Sequence, residues 1–554
     1  MALVQRRIGA VFALFFLLLV LAAARALYLA TLQGGSLRQA ARTQQLTYEP
    51  VPAQRGTISD RNGLDLAVSE PAQDISATPY LLRDPLSAAQ RLAPLLGAPQ
   101  DRLLRELTQR SGFVYLARAL PDTRARAVLA LKLPGVAGTP VMRRVYPHGA
   151  LAAQVIGVVG TEGNGLDGLE YSRNALLHGR SGDRRVVRDA IGQPVSITEV
   201  HPESPGASLS LTLDANIQQR AEEVLGTLGT SFGPRDATAI VMDPNSGAIL
   251  AMASWPQVNA NDPAGSSPGA VENRAVGLDY EPGSTFKAIT VAGALQQGLI
   301  TPTTGFEVPG QIQVADRTIH DDTEHGVEPL TTAQILARSS NVGAIKIGLL
   351  EGAASFNDWV RRFGFGVRTG IELPGEETGL VLPLSHYSGS SMGNLPIGQG
   401  QLVTPLQMAS AYAAIANGGI LRPPRIIGSV GDRPQPQAAG RRVISAATAA
   451  ELRRMLEGVL APGGTASQVS IPGYQLAGKT GTANKVEPAT GQYSETAYVV
   501  SFLGFAPASD PKLLCAVIVD EPHSGSGVFG GTVAAPAVGQ IMSFALPYLG
   551  IPPG

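Results

Sequence analysis

Two residue types that do chemistry sit three positions apart in the stretch Tyr280-Glu281-Pro282-Gly283-Ser284-Thr285-Phe286-Lys287. A serine hydroxyl is a poor nucleophile at neutral pH and needs a base beside it. A lysine serves as that base when burial lowers its pKa. Pro282-Gly283 breaks the chain before the serine. Ala288, Ile289, Val291, Ala292, Ala294 and Leu295 follow, apolar nearly all round, and Gly298 ends the run. That pattern predicts a short buried helix with Ser284 at its start and Lys287 on the same face. The free backbone N–H groups of such a helix start are placed to meet a developing oxyanion. By itself the pair also fits a plain helix-capping serine.

Two further stretches change that balance. Ser339-Ser340-Asn341 follows the amphipathic run Leu330 to Leu336. Lys479-Thr480-Gly481-Thr482 precedes the strand-like segment Tyr498 to Phe505. Of the 43 basic residues only six are lysine, yet two of those six, Lys287 and Lys479, fall in the three stretches, which argues against chance. In order and wide spacing the three stretches follow the set S-x-x-K, S-D-N and K-T-G, with serine in place of the middle aspartate.

These residues need elements to carry them. The 554-residue chain is too long for one compact domain and suits two or three. Its net charge of −1 and scattered basic residues give no sign of nucleic-acid binding. Arg6 and Arg7 precede an uncharged apolar run from Ile8 to Ala24, continued after Arg25 through Ala30. Together this is about the ~20 residues that cross a bilayer. The basic flank predicts a cytoplasmic N-terminus and an extracytoplasmic remainder. A cleaved signal peptide is the rival reading, with small-residue sites around Ala24. The chain therefore divides into residues 1–30 as tail and anchor, 31–205 as a scaffold, and 206–554 as the catalytic part, with Pro202 to Gly206 as the boundary loop.

Within the scaffold, Ser36 to Gln45 reads as a juxtamembrane helix and Leu86 to Leu107 as helical. Asp183 to Val200 alternates like a hairpin around Gly192. Asn62-Gly63 marks a tight turn between strands, with Asp60 and Arg61 as an ion pair beside it. In the catalytic part, Asp243 to Gly247 turns between two apolar strands. Pro405 to Ala416 and Ala534 to Leu546 read as helices. The polar cluster His320, Asp321, Asp322, Glu324, His325 matches no common zinc spacing and reads as a solvated loop. Cys515, the only cysteine, lies in an apolar strand pattern and reads as a buried inert thiol.

On these motifs the chain resembles a class B penicillin-binding protein, a peptidoglycan D,D-transpeptidase. The resemblance includes the N-terminal anchor, Arg55 to Gly63, Gly168-Leu169-Glu170, Thr404 to Gln407 and Gly530-Gly531. Tyr280 to Lys287 and Ser339 to Gly343 look more like the septal FtsI-type branch than the elongation type. It implies a mixed α/β transpeptidase fold, a sheet flanked by helices as in serine β-lactamases, with an N-terminal pedestal domain and one transmembrane helix. It implies Ser284 as acylated nucleophile, Lys287 as its base, Ser339 as proton relay and Lys479 as the neighbouring positive charge. Asn341 would bind the donor's backbone amide. Thr480 and Thr482, flanking Gly481, would hold the terminal carboxylate. The backbone N–H groups of Ser284 and Thr482 would form the oxyanion hole. Ser340, at the middle motif position, has no role in this scheme.

The implied substrates are stem peptides ending in D-Ala-D-Ala, with β-lactams as inhibitors and no metal or organic cofactor. The implied partners are the cell membrane, an FtsW-type glycosyltransferase and division-complex proteins. An elongation-type enzyme, a membrane-anchored β-lactam sensor or lactamase, and a division-complex scaffold are the competing readings. The anchor and long scaffold disfavour a secreted lactamase. The short tail before the span disfavours a sensor, and Ser284, Lys287 and Lys479 disfavour a pure scaffold.

Overall fold

The computed structural model describes residues 2–31, 46–188, 194–487, 489–523 and 527–553. The predicted juxtamembrane helix and Gly192 lie outside the described residues. The chain forms two compact units. The first contains Met1–Gln54, Pro71–Met142 and Gly179–Gly206. The second contains Arg55–Glu70, Arg143–His178 and Ala207–Gly554. Two stretches of the segment 31–205 are thus part of the larger unit.

In the first unit a helix spans Ala2–Thr31. Among the described residues it is the one helix long and apolar enough to cross a membrane, with mean hydropathy 2.5 over its most apolar window. Leu46–Val51, Gly182–Arg188 and Pro194–His201 form an antiparallel sheet with Gly182–Arg188 in the middle. A separate small core gathers Ile75, Leu92, Leu103, Leu116 and Val128. The helical stretch predicted over Leu86 to Leu107 is two helices, Pro85–Leu96 and Gln100–Leu107. Gly97 adopts φ +65° and closes the first, and Pro99 then starts the second.

The larger unit is built on a five-stranded antiparallel sheet. Its strands are β1 (Asp236–Met242), β2 (Ile249–Trp255), β3 (Ala477–Val486), β4 (Tyr493–Ala506) and β5 (Leu513–Asp520). Their order is β2-β1-β5-β4-β3, which leaves β3 at an edge. Helices cover both faces, so central strands are apolar on both sides. Along β5, Leu513, Cys515, Val517 and Val519 face one core, and Leu514, Ala516 and Ile518 the other. The first core lies against helices α1 (Ala215–Phe232) and α7 (Ala534–Tyr548). The second lies against α2 (Lys287–Gln296), α3 (Thr332–Arg338), α4 (Asn341–Glu351), α5 (Pro405–Ala416) and α6 (Ala446–Glu457). Cys515 is wholly buried, and burial drives its thiol pKa upward.

The early segments join this unit through pairing and buried charge. Ile58–Ser59 pairs in parallel with Leu209–Ser210. Asp60 is not paired with Arg61. Its buried carboxylate accepts the backbone N–H groups of Asn62 and Leu64 at 2.8 Å and of Ala215 at 3.1 Å. It therefore serves both the Asn62-Gly63 turn and the start of α1. Glu170 is fully buried between two arginines, with Arg55 Nε at 2.5 Å and Arg144 Nε at 2.6 Å. Such a cluster persists only because every charge has a partner.

Candidate active site

Ser284 lies in a single 3-10 turn, Gly283–Phe286, that runs into α2. Three contacts fix this turn. The Phe286 ring packs 5.1 Å from Phe365 and 6.3 Å from Phe356. The Thr285 hydroxyl donates to Pro282 O at 2.7 Å. Tyr412 of the fully buried helix α5 donates its hydroxyl to Thr285 O at 2.6 Å. Two glycines let neighbouring backbone close on the turn. A Cβ on Gly481 would stand 2.9 Å from Thr285 Cγ2 and 3.1 Å from Pro282 O, and one on Gly398 would stand 2.2 Å from Gly283 O. The first lets edge strand β3 lie against the serine turn.

Beneath Ser284 sit two buried lysines. Lys287 Nζ donates to Ser339 O at 2.5 Å and to Asn341 Oδ1 at 2.7 Å, and lies 3.3 Å from Ser339 Oγ. Lys479 Nζ reaches Ser339 Oγ at 2.9 Å and Thr480 O at 3.1 Å. Both side chains are fully buried. Burial lowers the Lys287 pKa to about 8, against the opposing pull of Asp322 and Asp321. Burial and then the charge of Lys287 drive Lys479 well down. The repulsion is mutual, so near neutral pH the pair favours holding one proton between them. Ser339 bridges the two amines from a left-handed backbone, φ +62°, that a serine rarely adopts. Strain of that kind gathers at functional sites.

The eight candidate residues therefore come together. Lys287, Ser339, Asn341 and Lys479 form one bonded group. The Thr480 hydroxyl lies 3.4 Å from Lys479 Nζ and 2.6 Å from the Thr465 hydroxyl. Thr482 Oγ1 accepts the Gly530 N–H at 3.2 Å. Ser284, Asn341 and Thr482 line a cleft of about 300 Å³ with Arg317, Gln399, Asn484 and Tyr493. Ser284 Oγ has no hydrogen bond among the described residues.

The loop at 320–325 is solvated at His320, Asp322 and Glu324, as expected, but Asp321 and His325 turn inward. Asp321 takes the Ser340 hydroxyl at 2.7 Å and the Val342 N–H at 2.9 Å, and His325 Nε2 lies 3.0 Å from it. His320 O and Asp322 Oδ1 accept the Asn341 Nδ2 at 2.9 and 3.2 Å. The Asn341 amide is thereby fixed with its oxygen on Lys287. Ser340 caps α4, accepting the Gly343 N–H at 2.9 Å. The middle motif position thus has a structural role, and serine fills it as a capping residue. Asp321, Asp322 and Tyr412 were not legible as site residues. The one available signal was a serine, Ser340, standing just before the largely apolar run Val342 to Leu350, where a helix cap would lie.

The sequence matches two family descriptions, a penicillin-binding protein transpeptidase domain over residues 237–543 and a penicillin-binding protein dimerisation domain over residues 50–211. The chain is 35% identical to the penicillin-binding protein PbpB of Mycolicibacterium smegmatis over 96% of its own length and 89% of that protein. It is 33% identical to the peptidoglycan D,D-transpeptidase FtsI of Escherichia coli, covering 92% of this chain and 86% of that protein. Among solved structures, penicillin-binding protein 3 of Mycobacterium tuberculosis complexed with aztreonam superposes with a TM-score of 0.72 at 32% identity. That match covers 91% of this chain and 98% of the other.

Proposed function

Since the chain belongs to the class B penicillin-binding proteins of FtsI type and is a serine D,D-transpeptidase of peptidoglycan, we propose that Ser284 is the nucleophile it acylates. The observation that carries this assignment is the pair of buried lysines meeting at Ser339 beneath the serine turn. Neutral Lys287 takes the proton of Ser284 as its oxygen attacks the carbonyl of the penultimate D-Ala. The backbone N–H groups of Ser284 and Thr482 hold the oxyanion. As the peptide bond breaks, the proton passes from Lys287 through the Ser339 hydroxyl to the departing D-Ala nitrogen. The product is an ester on Ser284. An amine of a second stem peptide then attacks that ester, an amide forms, and Ser284 regains its proton. Lys479, Thr480 and Thr482 hold the donor's terminal carboxylate, with Gly481 letting β3 approach. Asn341 Oδ1, already on Lys287, keeps a second lone pair for the donor amide N–H.

The same site acylated by a β-lactam gives a stable adduct. Fluorescent penicillin applied to wild type and Ser284→Ala tests the assignment. A long-lived label lost in the variant is the expected result. Label retained by the variant, or turned over quickly by the wild type, would contradict it.

The setting follows from the same reading. The apolar helix Ala2–Thr31 is a membrane anchor with Arg6 and Arg7 on the cytoplasmic side, which keeps the catalytic unit outside the membrane. Similarity to FtsI supports a role in septal wall synthesis, and an FtsW-type glycosyltransferase and division-complex proteins are the partners proposed for that role. Depletion is expected to give filaments, whereas round cells would point to lateral wall synthesis.

A further inference from the structure

Next to the cleft is a second cavity of about 220 Å³, lined among others by Asp279, Tyr280, Glu281, Asn484 and Lys485. Asn484 lines both spaces. A second link joins them. Glu281 Oε1 accepts the hydroxyl of Tyr493, a cleft residue, at 3.2 Å, and the Gly400 N–H at 2.9 Å.

The polar inventory of this cavity is lopsided. Glu281 Oε2 is buried without a partner among the described residues. So is the hydroxyl of Tyr280, a residue only 4% exposed. The cation in the wall, Lys485, is already engaged, with Asp520 at 2.8 and 2.9 Å and Glu521 at 2.5 Å. Burial raises the pKa of Glu281 and of Asp279, as it does for carboxylates that lack a cation. What the cavity lacks is a positive charge brought from outside.

The sheet indicates what would bring it. β3 is an edge strand, open to pairing with an extended peptide. Toward its start, Gly478 and Lys479 are buried, whereas Thr482, Asn484 and Lys485 are part-exposed and Val486 is exposed. A donor with its terminal carboxylate at Thr480 and Thr482 therefore extends toward Val486. An extended chain advances about 3.3 Å per residue. Two residues in from the carboxylate it lies level with Asn484 and Lys485, over the cavity.

We propose that this cavity is a subsite for a primary ammonium at the end of the side chain of the donor's third residue, with Glu281 as its counter-ion. Tyr280 supplies a neutral acceptor beside it. The subsite rests on the reading that Ser284 is acylated by a stem-peptide donor. It makes Glu281 a specificity residue of that reaction.

The test compares two synthetic thioester donors that differ only in the third residue, lysine in one and norleucine in the other. Full-length protein in detergent, wild type and Glu281→Gln, is assayed for thiol release. The quantity read is the ratio of kcat/KM for the two donors within each protein, so a general loss of activity cancels. Wild type is expected to prefer the lysine donor by roughly tenfold or more, as a charge-assisted hydrogen bond implies. Glu281→Gln is expected to bring that ratio close to one, and Glu281→Asp, which keeps the charge, to retain part of it. Equal ratios in wild type, or a preference that survives Glu281→Gln, would overturn the subsite. Failure of both donors to acylate Ser284 would overturn the underlying reading, and the subsite with it.

Discussion

Replacing Lys479 by methionine is expected to lower the plateau of Ser284 acylation while its pH midpoint stays near 8. The two lysine nitrogens share Ser339 Oγ through distances of 3.3 and 2.9 Å, so they stand no more than about 6.2 Å apart. Two like charges at that separation, with an effective dielectric constant of about 20, repel by about 2.7 kcal/mol. That equals about two pKa units. Burial and this repulsion drive Lys479 well down, so at neutral pH the shared proton resides on Lys287, which loses it near pH 8. The reactive form is neutral Lys287. Below that midpoint the acylation rate should therefore climb about tenfold per pH unit and then level off above it. Lys479 is already neutral at that midpoint, so its removal takes no charge away and the midpoint should stay near pH 8. The assay is the second-order rate constant for labelling by fluorescent penicillin between pH 6 and 10, wild type beside Lys479→Met. The plateau falls, because a partner for the substrate carboxylate is lost, so the midpoint is the quantity to read. A midpoint that rises by one to two units would show that Lys479 carries the shared proton and would refute its assignment to Lys287.

Three other outcomes follow from the same geometry. Gly481→Ala would bring a methyl group to 2.4 Å from Ser501 Oγ and 2.9 Å from Thr285 Cγ2. It should slow penicillin acylation by far more than the same change at Gly226, where nothing lies within 4 Å. Glu170→Gln leaves Arg55 and Arg144 buried without a carboxylate and should cost about 3–5 kcal/mol in denaturant unfolding; a loss below 1 kcal/mol would contradict the role given to this cluster. Burial raises the Glu351 pKa from 4.5 to about 8, so the folded protein holds a proton that the unfolded chain releases in that interval. That contribution to stability is complete below pH 4.5 and is lost as pH rises through 8. Glu351→Gln should flatten the fall in the unfolding midpoint between pH 5 and 8.

Much of this site was readable from residue types in order. Ser284 with Lys287 sits where a Pro-Gly break meets an apolar helical run. Lys479 stands out because lysine is scarce in the chain. The apolar pattern of Leu513 to Val519 foretold a strand with Cys515 buried in it. What escaped the sequence depends on contacts between distant positions. Asp321 looks solvated beside charged neighbours, yet Ser340 and Val342, 19 and 21 residues later, present the donors that bury it. Asp60 stands next to an arginine in sequence, but its carboxylate takes up backbone N–H groups, one of them on Ala215, 155 residues away. The parallel pairing of Ile58 with Leu209 leaves no local pattern, so nothing in the sequence links residues 55–70 to the catalytic unit. Local propensity reports on neighbours, and these links are closed only by the fold.

The most direct test of the central claim is acyl transfer from a D-Ala-terminated thioester donor, followed with and without a D-amino acid acceptor and read by peptide mass spectrometry. The account predicts the donor's acyl mass on the peptide containing Ser284, and an amide product that grows with acceptor concentration at the expense of hydrolysis. An adduct on another residue, or hydrolysis that ignores the acceptor, would contradict it.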